Sequence, residues 1–197
     1  MTFKQFFPIP VGIAVLAFLL MIFDIIAGYC PGKYFVIWVA FQAWAMYFMA
    51  GCTLQNGVKV MLGYLGGAVA SIAIMEFSGL ISFLGPMAAP VAVLIIVVPV
   101  ICAERVPMLD FVPAWFVGAG VYFALRGSYP THTATTITSL FSCAVGIAFG
   151  IATVVGRGKY EATLKLGEEA PAEAPAEAVA ETPAEAPAPA ETEESAE

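Results

Sequence analysis

Six apolar segments, at about 10–29, 34–51, 58–78, 81–102, 109–125 and 135–155, fill most of the chain up to residue 158. A helix rises about 1.5 Å per residue and the hydrocarbon core of a bilayer is about 30 Å thick, so about 20 residues cross it. The segments therefore predict an all-α membrane protein with about six transmembrane helices. Turn chemistry separates them: "CPGK" at 30–33, "CTLQNG" at 52–57, "FSGL" at 77–80, "AERVPM" at 103–108 and "RGSYPTHTA" at 126–134. The break at 77–80 is the weakest, and without it the third and fourth segments merge to leave five helices. A soluble domain is excluded by composition, since 60% of the 197 residues are hydrophobic and the mean hydropathy is +0.88.

Charge divides the chain in two. Residues 1–160 hold seven Lys/Arg and four acids, whereas residues 161–197 hold eleven acids and only Lys165. The reading is a polytopic membrane domain at 1–158 and a disordered tail at 159–197. From about Gly167 the tail is Ala, Pro and Glu with Val179 as its one sizeable apolar side chain, so it has no core to bury. Six spans place both termini on one side, together with Lys4, Lys59, Arg105, Arg157, Lys159 and Lys165, against Lys33 and Arg126 opposite. That asymmetry predicts both ends in the cytoplasm. Lys4 followed by an apolar run suggests a signal peptide, but no small-x-small cleavage site follows, so an uncleaved first helix is expected. Tyr29 before Cys30 occupies the place where a lipid-attachment signal needs a small residue.

Lipid is as apolar as leucine, so helices associate through close packing and a few polar contacts. Gly63-xxx-Gly67 with Ser71 in the third span, and Gly146-xxx-Gly150 in the sixth, predict that these two helices are central. The fourth span carries Gly85, Pro86, Pro90 and Pro99, which predict a kink. That kink serves either packing or a discontinuous helix lining a solute path.

A shift of 75 residues lays the second span on the fifth: Phe41 on Phe116, Ala43 on Gly118, Ala45 on Gly120, Tyr47 on Tyr122 and Phe48 on Phe123. Repeated units of three helices, an odd number, lie inverted in a membrane, an arrangement found in transporters and channels. In that arrangement Gly118 and Gly120 let the second and fifth helices meet near the centre. The stretch "LDFVPAWFVGAGVYFALRGSY", followed by "SLFSCAVGIAFG", resembles the C-terminal half of the YcdZ-like bacterial inner-membrane proteins, domain-of-unknown-function family 1097. The resemblance is sharpest over about 109–150. It implies a small multi-helix inner-membrane protein and brings no catalytic residue or substrate with it.

Ionisable groups within spans are functional candidates because lipid penalises them. Asp24 lies near the outer end of the first span and Glu76 near the outer end of the third, with Lys33, Arg126 and His132 on the same side. The alternatives are an outer charged vestibule, or local satisfaction of Asp24 with Glu76 reaching headgroups. Gln42, mid-span, contacts either a neighbouring helix or a permeant. Trp38, Trp44 and Trp115 read as interface or packing residues, His132 as a solvated loop residue, and the four scattered cysteines as small apolar residues. No catalytic motif, metal-ligand spacing or cofactor signature is present, so no enzyme, no cofactor and no nucleic-acid partner are expected.

Two functions follow. One is a channel or transporter for a small polar or weakly acidic solute, its path lined by spans two, four and five with Asp24, Gln42, Glu76, Pro86, Pro90, Gly118, Gly120 and Arg126 as candidates. The other is a non-transporting scaffold whose acidic tail recruits a cytoplasmic partner. A homo-oligomer is compatible with both.

Overall fold

The computed structural model describes residues 2–29 and 32–169. Among these the chain is all-α, with helices α1 (Phe3–Phe6), α2 (Pro8–Ala27), α3 (Ile37–Met49), α4 (Leu54–Leu80), α5 (Ala88–Cys102), α6 (Val112–Arg126) and α7 (His132–Glu169). Helix α7 continues past the expected boundary at 158, because nothing before Pro171 breaks it. This moves the start of the tail. Residues 170–197, where the disordered tail is expected, lie outside the described residues, as does part of the 30–33 turn.

The six longer helices fall on the six apolar segments. Four stretches are long and apolar enough to cross a membrane: Phe3–Ala27, Leu54–Leu80, Ser82–Arg105 and His132–Lys165. Helices α3 and α6 have 13 and 15 residues. At 1.5 Å per residue they reach only about 20 and 22 Å. Non-helical backbone at membrane depth needs partners within the protein. Before α3, Ser142 of α7 supplies one, accepting a hydrogen bond from the amide of Val36 at 2.9 Å.

The break between the third and fourth segments lies beyond 77–80. Ser78 and Gly79 continue α4, and the chain turns in a 3-10 segment at Ser82–Met87, where Gly85 adopts φ 58°. Only glycine enters that region freely. Pro86 belongs to the turn and Pro90 to the first turn of α5, where a missing N–H leaves no helical hydrogen bond unmade. Gly85 and Pro86 thus break the fourth segment near its start, where its kink is expected; Pro90 opens α5, and Pro99 lies inside it.

Four helices form the core. Val39, Ala43 and Tyr47 of α3, Val60 and Tyr64 of α4, Ala114 and Val121 of α6, and Cys143 and Ile147 of α7 make one buried cluster. The two most extensive helix pairs are α4 with α6 and α3 with α7. Glycine sets both. A methyl group added at Gly67 would collide with the carbonyl oxygen of Trp115, and one at Gly146 with that of Ala40. Gly63 is equally tight against Ala114, and Gly150 against Tyr47. The central placement of the third and sixth spans follows from these approaches. The small residues of α6 do not bring it to α3, however. Gly118 lies against the backbone of Tyr64 in α4, and Gly120 faces open space. Helices α2 and α5 are peripheral and largely exposed.

Candidate functional site

At the end of the bundle where α4 and α6 finish and α7 begins, three side chains form a chain of hydrogen-bonding groups. The Tyr122 hydroxyl pairs with Nδ1 of His132, and Nε2 of His132 lies 3.3 Å from Oε1 of Glu76. Tyr122 is fully buried, whereas the Glu76 side chain is largely exposed. Histidine can bridge two oxygens because its ring nitrogens take opposite roles. With Nε2–H donating to the carboxylate, Nδ1 is free to accept from the phenol.

Arg126 sits one turn beyond Tyr122. Its Nη1 donates to the carbonyl of Tyr129 at 2.9 Å, while its Nε is buried with no partner among the described residues. The Tyr129 hydroxyl in turn donates to the carbonyl of Lys33 at 2.7 Å, latching the 127–131 loop to the segment before α3. A cavity of about 470 Å³ opens between these two strips, lined by Lys33, Trp38 and Ser128 among others.

Beneath His132, α7 turns a stripe of hydroxyls inward. Thr135, Thr138, Ser139 and Ser142 are all fully buried. From His132 to Ser142 the stripe runs about 15 Å along α7. Thr135 returns its hydrogen bond to the carbonyl of Thr131 at 3.0 Å, and Ser142 is occupied by Val36. Thr138 Oγ1, Ser139 Oγ and the hydroxyl of Tyr64 on α4 have no partner among the described residues. A buried hydroxyl without a partner costs about 1–3 kcal/mol, and such groups usually hold ordered water.

The opposite end is closed by backbone turns. The Tyr47 hydroxyl donates to the carbonyl of Cys52 at 2.9 Å, and Gly51 and Cys52 both take positive φ in the turn into α4. Thr53 caps α4 by accepting from the amide of Asn56 at 3.1 Å. Lys59 and Asp110 form an ion pair at 2.7 Å, and the hydrogen bond from Lys59 holds the Asp110 carboxyl below its ordinary range. Gln5 and Tyr160 meet at this end, the tyrosine hydroxyl donating to the Gln5 carbonyl at 2.8 Å.

Of the residues singled out from sequence, the structure brings together Glu76 and Arg126, each beside Tyr122 or His132. Asp24 is half-buried on peripheral α2, with no side-chain hydrogen bond among the described residues. Gln42 is exposed on the outer surface of α3, and Pro86 and Pro90 are exposed on the other side of the turn into α5. Gly118 serves packing. His132 is not a loop residue but the first of α7, and the hydroxyl stripe was not singled out at all. Its signal was legible in "THTATTITSLFS" at helical spacing.

Among the described residues no group of three His, Cys, Asp or Glu side chains is placed to hold a metal ion. Comparison with curated proteins and with solved structures finds no match. A family profile described as a protein of unknown function, DUF1097, matches residues 10–156, which is most of the helical domain. The chain therefore belongs to the DUF1097 family.

Proposed function

We propose that this chain is a six-span protein of the bacterial inner membrane, built as two inverted three-helix repeats. It passes a small polar or weakly acidic solute along the hydroxyl face of α7. The observation that carries the reading is the set of buried, unpartnered hydroxyls of Tyr64, Thr138 and Ser139, lying beneath Tyr122, His132 and Glu76. In a lipid-facing bundle such groups are costly, and a hydrated path is what makes them useful.

Repeat symmetry is supported by reciprocal contacts. Trp115 follows Ala40 by 75 residues, and Gly146 follows Gly67 by 79. Gly67 lies against the Trp115 carbonyl, and Gly146 against the Ala40 carbonyl. The same two shifts carry Ser71, whose Oγ faces the Ala119 carbonyl at 3.4 Å, onto Gly150, which faces Trp44. Two buried helical stripes always align in some register, so burial alone would mean little. Contacts that exchange partners under the same pair of shifts are a stronger test. The five residues matched between the second and fifth spans also agree in exposure: Ala43, Gly118, Tyr47 and Tyr122 are buried, and the other six are exposed. An inverted pair makes α3 and α6 equivalent spans, which their short helices complete with the flanking extended segments.

Orientation follows the cations. Lys4, Lys59, Arg105, Arg157 and Lys159 gather toward the end where Gln5 meets Tyr160, which favours a cytoplasmic position for that end. The test is a light-scattering assay of solute entry into proteoliposomes, using a panel of small polar solutes and weak acids. Faster entry than into protein-free vesicles, slowed several-fold by Ser139→Ala, is expected. Entry no faster than into empty vesicles for every solute overturns the reading.

The second reading, a non-transporting scaffold, has the close glycine contacts at Trp115 and Ala40 in its favour. Truncation after Lys165 separates the two, because a channel keeps its flux and a recruiter loses its cytoplasmic partner.

A further inference from the structure

A groove of about 440 Å³ runs between the first half of α2 and the last membrane turns of α7. Its walls are almost wholly apolar, with Ile9, Ile13 and Leu16 on one side and Ala152 and Gly156 on the other. Two glycines make it. Methyl groups built at Gly12 and Gly156 meet nothing within 4 Å, so the volume is space the sequence leaves open. Thr153, the one hydroxyl on the α7 wall above Tyr160, spends its proton on the carbonyl of Phe149 at 2.9 Å and asks nothing of an occupant.

The mouth of the groove is cationic. Arg157 lines it, and its Nε is held by Glu161 at 2.7 Å, which leaves the terminal nitrogens of the guanidinium without a partner among the described residues. Tyr160 lines it too and donates to the Gln5 carbonyl, so that Lys4, next to Gln5, and Lys159, next to Tyr160, lie at this end of the bundle. Three cations thus gather at this end of the groove, where Glu161 is the acid paired with Arg157. An apolar slot ending in basic side chains, at the level where helices leave the hydrocarbon, matches an acyl chain with an anionic headgroup.

We propose that this groove binds an anionic phospholipid, one acyl chain lying between α2 and α7 and the phosphate on Arg157, Lys159 and Lys4. The acidic tail is the competing occupant by charge. Its Ala, Pro and Glu composition offers only Val179 as a sizeable side chain to fill an apolar slot. The inference rests on membrane insertion, but neither on solute passage nor on which end faces the cytoplasm.

The test is native mass spectrometry of the purified full-length protein in detergent, with added phosphatidylglycerol or phosphatidylcholine. Wild type is expected to retain phosphatidylglycerol about tenfold better, the scale that a few basic residues near a headgroup supply. The triple variant Lys4→Ala, Arg157→Ala, Lys159→Ala is expected to lose that preference. Gly12→Leu with Gly156→Leu should release both lipids while eluting and unfolding like wild type, because leucine there fills open space. Equal retention of the two lipids by wild type overturns the proposal. So does undiminished binding in the leucine variant, or binding of phosphatidylglycerol only after removal of residues 170–197, which would assign the mouth to the tail.

Discussion

Tyr122 and His132 are joined through a hydroxyl and a ring nitrogen across the turn between α6 and α7, with their ring planes only 4° apart. The bond fixes the start of α7 against the end of α6 and places the imidazole between a buried phenol and the exposed carboxylate of Glu76. One side of the histidine faces the bundle and the other faces water.

Removing that hydroxyl leaves Nδ1 of His132 without its partner. Tyr122→Phe is expected to cost about 1 kcal/mol, and so to lower the melting temperature by about 2–4 °C. Thermal unfolding in detergent measures it. His132→Gln, which can still accept from Tyr122, should lose less than His132→Leu.

Glycine positions differ sharply in what they tolerate. Gly67→Ala and Gly146→Ala each push a methyl into a backbone carbonyl that has no room to yield, and each is expected to destabilise by about 1–3 kcal/mol. Gly120→Ala enters open space and should leave stability unchanged or raised. Similar losses at 67 and 146 are expected because each methyl meets a backbone carbonyl oxygen. Chemical denaturation in mixed micelles compares the three.

The unpartnered hydroxyls of α7 make an unusual pair of expectations. Ser139→Ala and Thr138→Val remove groups that gain nothing from the fold, so stability should hold or increase. Solute entry into proteoliposomes should fall several-fold in the same variants. A loss of stability without change in flux would mean that the hydroxyls serve packing.

Asp110 adds a pH dependence. Lys59 holds its folded carboxyl below the ordinary value, so the ion pair contributes stability at pH values above the unfolded carboxylate range. That contribution disappears as pH falls through the lowered folded value. The melting temperature of wild type should exceed that of Asp110→Asn at pH 7, and the difference should close below about pH 4. It should also shrink with salt, since Asp110 is exposed.

Apolar length and turn chemistry made the six helical segments legible, and small-residue spacing made α4 and α7 legible as the central pair. Local detail was harder to read. Ser78 and Gly79 look like a turn, yet a helix carries both, and the chain turns only where Gly85 takes a positive φ. Gln42 drew notice as a polar residue mid-span. It lies at the exposed edge of α3, while Val39, Ala43, Met46 and Tyr47 form the buried face. Asp24 stands out by charge, but on a helix that borders the bundle it is half-buried and meets no side-chain partner among the described residues. The α7 hydroxyls carry no signal of their own in the sequence beyond their helical spacing, because serine and threonine are ordinary helix residues when their partners are backbone carbonyls. Only the fold reveals which of them have none.

Whether the two halves lie inverted in the bilayer is tested most directly by paired reporter fusions, alkaline phosphatase and green fluorescent protein, placed after Gly51, Arg105, Ser128 and Lys165. Inverted three-helix repeats with the cationic end in the cytoplasm require phosphatase activity at Ser128 alone and fluorescence at the other three. Gly51, Arg105 and Lys165 on different sides, or Ser128 on the same side as all three, would contradict the inversion and with it the common path along α7.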